Sequence, residues 1–153
     1  MTQRGTVLLI VAIVGVLAVP VLLRQGHRDS AQEVESDSDG LQVVVYTSGA
    51  WRAPDSAVVP ADGMQYFAVD VSMINAGADV RRVTPSQLKL EDAYGREYDA
   101  GGIGPEPAFP RRTLEPGDSV RGWVTYEAPW DLASPVLVFQ LDGFGRTYQK
   151  IAL

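Results

Sequence analysis

The chain of 153 residues contains no cysteine and a single histidine. The first absence excludes disulfides, thiolate metal sites and cysteine nucleophiles. The second leaves His27 as the only imidazole, ahead of the part that reads as globular, so a Ser-His-Asp arrangement or a histidine-based zinc or copper site within the domain is excluded. The chain has no Asp-x-Asp-x-Asp-Gly run, no glycine loop leading into Lys-Ser, and no stretch with the apolar period of an amphipathic helix. The formal net charge is −6, and from Leu41 onward fourteen acids face ten bases, which argues against a nucleic-acid footprint. These absences point to a protein that is not an enzyme and carries no cofactor.

What is present falls into three zones. Gly5 to Leu23 is a run of nineteen uncharged, mostly aliphatic residues flanked by Arg4, Arg24 and Arg28. A bilayer core takes roughly 20 apolar residues as a helix, so residues 1–28 are expected to form a single N-terminal transmembrane anchor. A cleavable signal peptide ending near Val16-Leu17-Ala18 is the alternative, in which case the protein is secreted. Basic residues on both flanks nearly balance, and the usual signal-anchor plan places the domain on the extracytoplasmic side. Residues 29–40 carry five acids, no base and little apolar surface, the composition of a disordered, self-repelling tether.

Residues 41–153 change to period two. Strands are expected at Leu41–Ser48, Met64–Asn75, Gln87–Glu91, Arg96–Tyr98, Ser119–Tyr126, Val136–Asp142 and Arg146–Ile151, with at most an edge piece at Ala57–Val59. In the clearest of them, Phe67, Val69, Val71 and Met73 alternate with Ala68, Asp70 and Ser72, giving one apolar face. Pro116-Gly117-Asp118 launches Ser119–Tyr126, and Ala128-Pro129 is read as its stop. Ala100 to Arg112, crowded with Gly and Pro, is expected to be a loop. About seven short strands in some 110 residues describe an all-β, immunoglobulin-like β-sandwich. Its core is expected to hold Val43, Val45, Phe67, Val69, Val71, Val124, Leu137 and Phe139.

Several of these stretches are familiar together. An anchor and acidic linker precede Ile74-Asn75-Ala76-Gly77, the hairpin Leu88-Lys89-Leu90-Glu91-Asp92-Ala93-Tyr94-Gly95, and Leu114-Glu115-Pro116-Gly117-Asp118-Ser119-Val120-Arg121-Gly122 with Tyr126-Glu127-Ala128-Pro129. The order resembles the domain-of-unknown-function family 4352 across Leu41 to Leu153. That resemblance implies an immunoglobulin-like fold similar to a secreted mycobacterial immunoprotective antigen, and export or membrane anchoring. It brings no established activity and no catalytic residue.

The candidate contact residues are Trp51, in a Gly- and Pro-punctuated stretch, and Trp130, after Pro129, because a tryptophan at such a place serves as an anchor for partner or sugar recognition. Covering an open end of the sandwich is the favoured reading of each, and contact the second. Trp123 alternates with Val124 and faces either the partner sheet or solvent. The expected role is a membrane-anchored extracytoplasmic module binding a protein or cell-envelope ligand. Two alternatives stand beside it. One is a structural subunit assembling through an edge strand or through Gly5, Ala12 and Gly15 of the helix. The other is a carbohydrate-binding domain, or a calcium-binding one using Glu91, Asp92, Asp99 and Asp142 as oxygen ligands. Oligomeric state is not readable from the sequence.

Overall fold

The computed structural model describes residues 33–36, 40–54, 58–140 and 148–153. Eleven β segments follow in order: β1 Glu33–Ser36, β2 Leu41–Trp51, β3 Met64–Asn75, β4 Arg81–Val83, β5 Leu88–Glu91, β6 Glu97–Tyr98, β7 Ala100–Gly101, β8 Arg112–Leu114, β9 Ser119–Pro129, β10 Val136–Gln140 and β11 Tyr148–Ala152. Among the described residues no helix is long and apolar enough to cross a membrane. The expected span at 5–23 lies outside them, as do Asp142 and the Gly143-Phe144-Gly145 connection.

Two sheets face each other, a five-stranded one in the order β1-β2-β3-β9-β7 and a four-stranded one in the order β11-β10-β5-β6, while β4 and β8 pair separately. The long central strands are antiparallel, with Val69 opposite Val124 and Val71 opposite Gly122. Period-two alternation turns Val43, Val45, Val69, Val71, Met73 and Val124 inward to meet Leu88, Leu90, Leu137, Phe139 and Ile151 of the second sheet. Of the expected core, Phe67 alone is only partly buried, packing against the cluster from its edge. Tyr126 crosses between the layers: fully buried on β9, its hydroxyl donates to the Leu88 carbonyl oxygen at 3.2 Å. Burial pushes that phenol well above its ordinary value.

The structure corrects the sequence reading in several places. Glu33–Ser36, expected within a disordered tether, runs antiparallel to Gln42–Val45 as the outermost strand. Composition registers how little such a segment buries, but not the main-chain ladder that an edge strand gains from its neighbour. The chain turns between them at Gly40, whose φ of 81° suits glycine and whose absent β-carbon would stand 2.6 Å from Gly77 Cα. Ala100–Gly101, expected as loop, adds to β9 opposite Thr125 and Tyr126. Gln87 belongs to a single 3₁₀ turn, Pro85–Gln87, and its side-chain carbonyl accepts from the Thr84 amide at 2.8 Å. Val58 and Val59 carry no strand. β9 continues to Pro129, opposite Met64 at the end of the ladder.

Candidate functional site

β2 reaches Trp51 by way of a bulge. Val45 pairs with Val71 and Thr47 with Asp70, which leaves Tyr46 as the extra residue. Because side chains alternate, one inserted residue exchanges the faces. Val43 and Val45 point into the core, whereas Thr47, Gly49 and Trp51 beyond the bulge lie opposite Asp70, Ala68 and Tyr66, on the side turned away from the second sheet. Trp51 and Tyr66 meet with ring centroids 6.0 Å apart at an interplanar angle of 50°.

At the same end of the sandwich the loop before β3 is fastened to β9. The Ala61 amide donates to Glu127 Oε1 at 2.6 Å, the Met64 amide to the Ala61 carbonyl, and the Trp130 amide to the Gly63 carbonyl. Gln65 Nε2 donates to the carbonyl oxygens of Pro129 and Trp130, both at 3.1 Å. These bonds hold the backbone of Trp130 while its indole stays 75% exposed. The result is a cleft of about 760 Å³ whose walls include Trp51, Tyr66, Met64, Val58, Val59 and Trp130. Arg52 is the one charged side chain among the described residues that line it. Both candidate tryptophans, far apart in the chain, thus border the same depression. Trp51 is half-buried, at the end of a strand instead of in an irregular connection. Its position depends on Tyr46, which nothing in the apolar run Val43-Val44-Val45 announces.

Trp123 does not reach this cleft. It lies half-buried on the outer face, opposite Asp70 and against Pro105 and Pro107, and borders a shallow hollow of about 290 Å³ with Trp51 and Ala68. Next to it Arg121 stacks over the Tyr46 ring at 3.6 Å and grips Asp70 with two hydrogen bonds, Nε to Oδ1 at 3.0 Å and a terminal nitrogen to Oδ2 at 2.6 Å. That arrangement holds the outer face of β3 to β9 and consumes the geometry a carboxylate ligand would need.

The calcium alternative loses its donors in the same way. Glu91 receives Lys150 Nζ on both oxygens at 2.7 Å, and Asp99 pairs with Lys89. Asp92, 5% exposed, accepts at Oδ1 from the amides of Tyr94 and Arg96 and at Oδ2 from Arg96 Nε and the Tyr98 hydroxyl. It organises the β5–β6 hairpin. Among the described residues no group of three acidic, histidine or cysteine side chains is arranged to hold a metal ion.

Burial works against the charged form of Asp92, but the bonds from Arg96, Tyr94 and Tyr98 prevail and hold its carboxyl down from 3.8 to about 2. The Arg96 guanidinium is raised, chiefly by its bond to Asp92. A carboxyl depressed on folding contributes stability that is complete above its unfolded value and disappears as pH falls through the folded one. The window therefore lies between about pH 4 and about pH 2. Asp92→Asn is expected to be less stable than the wild type at neutral pH, with the difference shrinking across that window. Denaturant midpoints at pH 7, 4 and 2.5 measure it, and a difference that persists unchanged to pH 2.5 would contradict the assignment.

Several solved structures share this fold. A candidate lipoprotein of Bacillus subtilis (ycdA) superimposes with a TM-score of 0.61 at 17% identity, over 78% of this chain and 38% of that one. The yjhA protein of the same organism gives 0.61 at 16% identity, over 80% and 97%. The secreted protein MPT63 of Mycobacterium tuberculosis gives 0.52 at 14%, over 78% and 87%. No curated protein matches the chain in sequence. The Asn75 turn, the Asp92 hairpin and the strand launched at Pro116-Gly117 all fall in the stretch that a family profile recognises, residues 31–148, and by that match the chain belongs to the family described as Domain of unknown function (DUF4352).

Proposed function

We propose that the domain is a non-enzymatic, extracytoplasmic binding module, held to the membrane by residues 5–23, and that it takes an envelope ligand at the cleft between Trp51 and Trp130. The observation that carries this reading is the exposure of Trp130. Its backbone is fixed by two hydrogen bonds, yet its ring is left in water beside Val59, also exposed. A large indole held rigidly in solvent is a poor contributor to stability and a good binding anchor. The candidate lipoprotein and the secreted protein among the structural neighbours support a location outside the cytoplasm.

Protease added to intact cells is expected to cut between the anchor and β1 and release the domain. Protection that lasts until the membrane is broken would reverse the orientation. In the full chain, Trp130→Ala is expected to leave the unfolding free energy within about 0.5 kcal/mol of wild type, as for other exposed positions. Released from its anchor by that protease, the variant domain should lose the retention on isolated cell envelopes that the wild-type domain shows. A large stability loss would make Trp130 a covering residue of the sandwich and remove the basis of this reading.

A further inference from the structure

The course of β1 says which end of the domain faces the bilayer, and thereby what its cleft meets. Glu33 lies opposite Val45 and Ser36 opposite Gln42, so the chain leaving β1 backwards heads along β2 toward Trp51. Six residues of β2 remain beyond Val45, roughly 20 Å at 3.3 Å per residue. Nine residues, 24–32, separate β1 from the apolar run, and they reach at most ~30 Å when extended. A tether of that length, even running straight on from β1, would leave at most about 10 Å between the Trp51 end and the membrane surface. Trp130 takes up that gap. Trp51 is level with Tyr66, whereas Met64 and its partner Pro129 lie two positions further out, and Trp130 follows Pro129.

The two ends of the sandwich are chemically different. Acids are exposed at both ends, Asp79, Glu115 and Asp118 at the far one and Asp62, Glu127 and Asp131 at the tether one, but Trp51, Tyr66 and Trp130, with Val59, gather at the tether end. Tryptophan and tyrosine settle at the headgroup level of a bilayer, where an apolar ring with one polar edge is stable. We infer that the Trp51–Trp130 end docks on the phospholipid surface, with Trp130 and Val59 immersed at the headgroup boundary and the cleft closed over by lipid. This rests on the membrane-anchored reading above and names the bilayer itself as the envelope ligand. A patch this small binds weakly alone, but the tether supplies the effective concentration that makes a weak contact persist. The contact is apolar in character: Arg52 is the one charged residue among the described residues lining the cleft, and the same end exposes Asp62, Glu127 and Asp131, so anionic lipid is not required.

The test uses the full chain reconstituted into phosphatidylcholine vesicles whose acyl chains are brominated near the headgroup. The protein should float with the vesicles, and the bromolipid should quench its tryptophan emission. Trp130→Phe should remove most of that quenching, and replacing part of the phosphatidylcholine by phosphatidylglycerol should leave it unchanged. If the protein floats but Trp130 is quenched by aqueous acrylamide and not by bromolipid, docking is overturned, the tether stands, and the cleft is open to a soluble or wall-borne partner. If the protein does not float, the anchored reading fails and the docking with it. Quenching that appears only with phosphatidylglycerol would overturn the apolar contact proposed.

Discussion

Asn75→Ala is expected to cost roughly 2–3 kcal/mol of folding stability, because one buried amide serves three segments of chain. Asn75 ends β3, fully buried. Its Nδ2 donates to the carbonyl oxygens of Asp79 at 2.8 Å and Leu114 at 3.0 Å, and its Oδ1 accepts from the Gly77 amide at 3.1 Å. Its main chain is engaged as well, the amide donating to Asp118 O and the carbonyl accepting from Gly117 N. The residue therefore closes the turn after β3, binds the end of β8, and positions the turn from which β9 departs. Truncation takes this partner from the buried Leu114 carbonyl and from the half-buried Asp79 carbonyl and Gly77 amide, and for the first it is the costly direction of hydrogen-bond loss. Asn75→Asp should be worse, since it sets an acceptor against two carbonyl oxygens. Denaturant unfolding reads both. A loss below about 0.5 kcal/mol for Asn75→Ala would show that the three segments are held by their main chains alone.

The same residue explains part of what was legible in the sequence. Ile74-Asn75-Ala76-Gly77 and Leu114-Glu115-Pro116-Gly117-Asp118 were recognisable as punctuation, and the family resemblance joined them without saying why they occur together. The hydrogen bonds from Asn75 are the reason: the two stretches form one structural unit. Long strands were legible because each side of β3 and β9 repeats over enough residues for alternation to stand out. Short ones were not. Arg81-Arg82-Val83 and Arg112-Thr113-Leu114 each bury one apolar side chain, at the end of the segment, and three residues show no period. Their pairing is set by contacts distant in sequence.

The cleft was half legible. Trp51 and Trp130 stood out as tryptophans beside turn formers, but a strict period of two from Leu41 would have sent Trp51 inward with Val43 and Val45. The bulge at Tyr46 sends it outward, and a bulge within an apolar run leaves no pattern to read. The Asp92 hairpin failed as a calcium site for a related reason. Acidic side chains on neighbouring turns look alike in sequence whether they face a cation or the amides and guanidinium of their own turn.

The other large effect is expected at Gly122, where the fold brings two backbones closer than any side chain permits. Gly122 lies opposite Val71 in the middle of β9, with φ outside the glycine region, so its identity is set by space and not by conformation. A β-carbon there would stand 2.6 Å from both N and Cα of Phe109. The main chain of 107–109 is bound to β9 by Trp123 N donating to Pro107 O at 2.9 Å and Phe109 N donating to Trp123 O at 2.8 Å. This segment protects the edge of β9 where β7 does not reach, and it plants Phe109 in the core. Gly122→Ala has no flexible side chain to push aside. It must move the segment, lose both hydrogen bonds and withdraw the phenyl ring, an overpacking cost of about 2–3 kcal/mol. At Gly49, where an added β-carbon meets nothing within 4 Å, the same substitution should be near neutral. Amide exchange separates the mechanism from general destabilisation: Trp123 and Phe109 amides should lose protection first in Gly122→Ala, ahead of the β2–β3 ladder. If those two amides open only together with the whole domain, the 107–109 segment is an integral strand of the sandwich and not a cover laid over its edge.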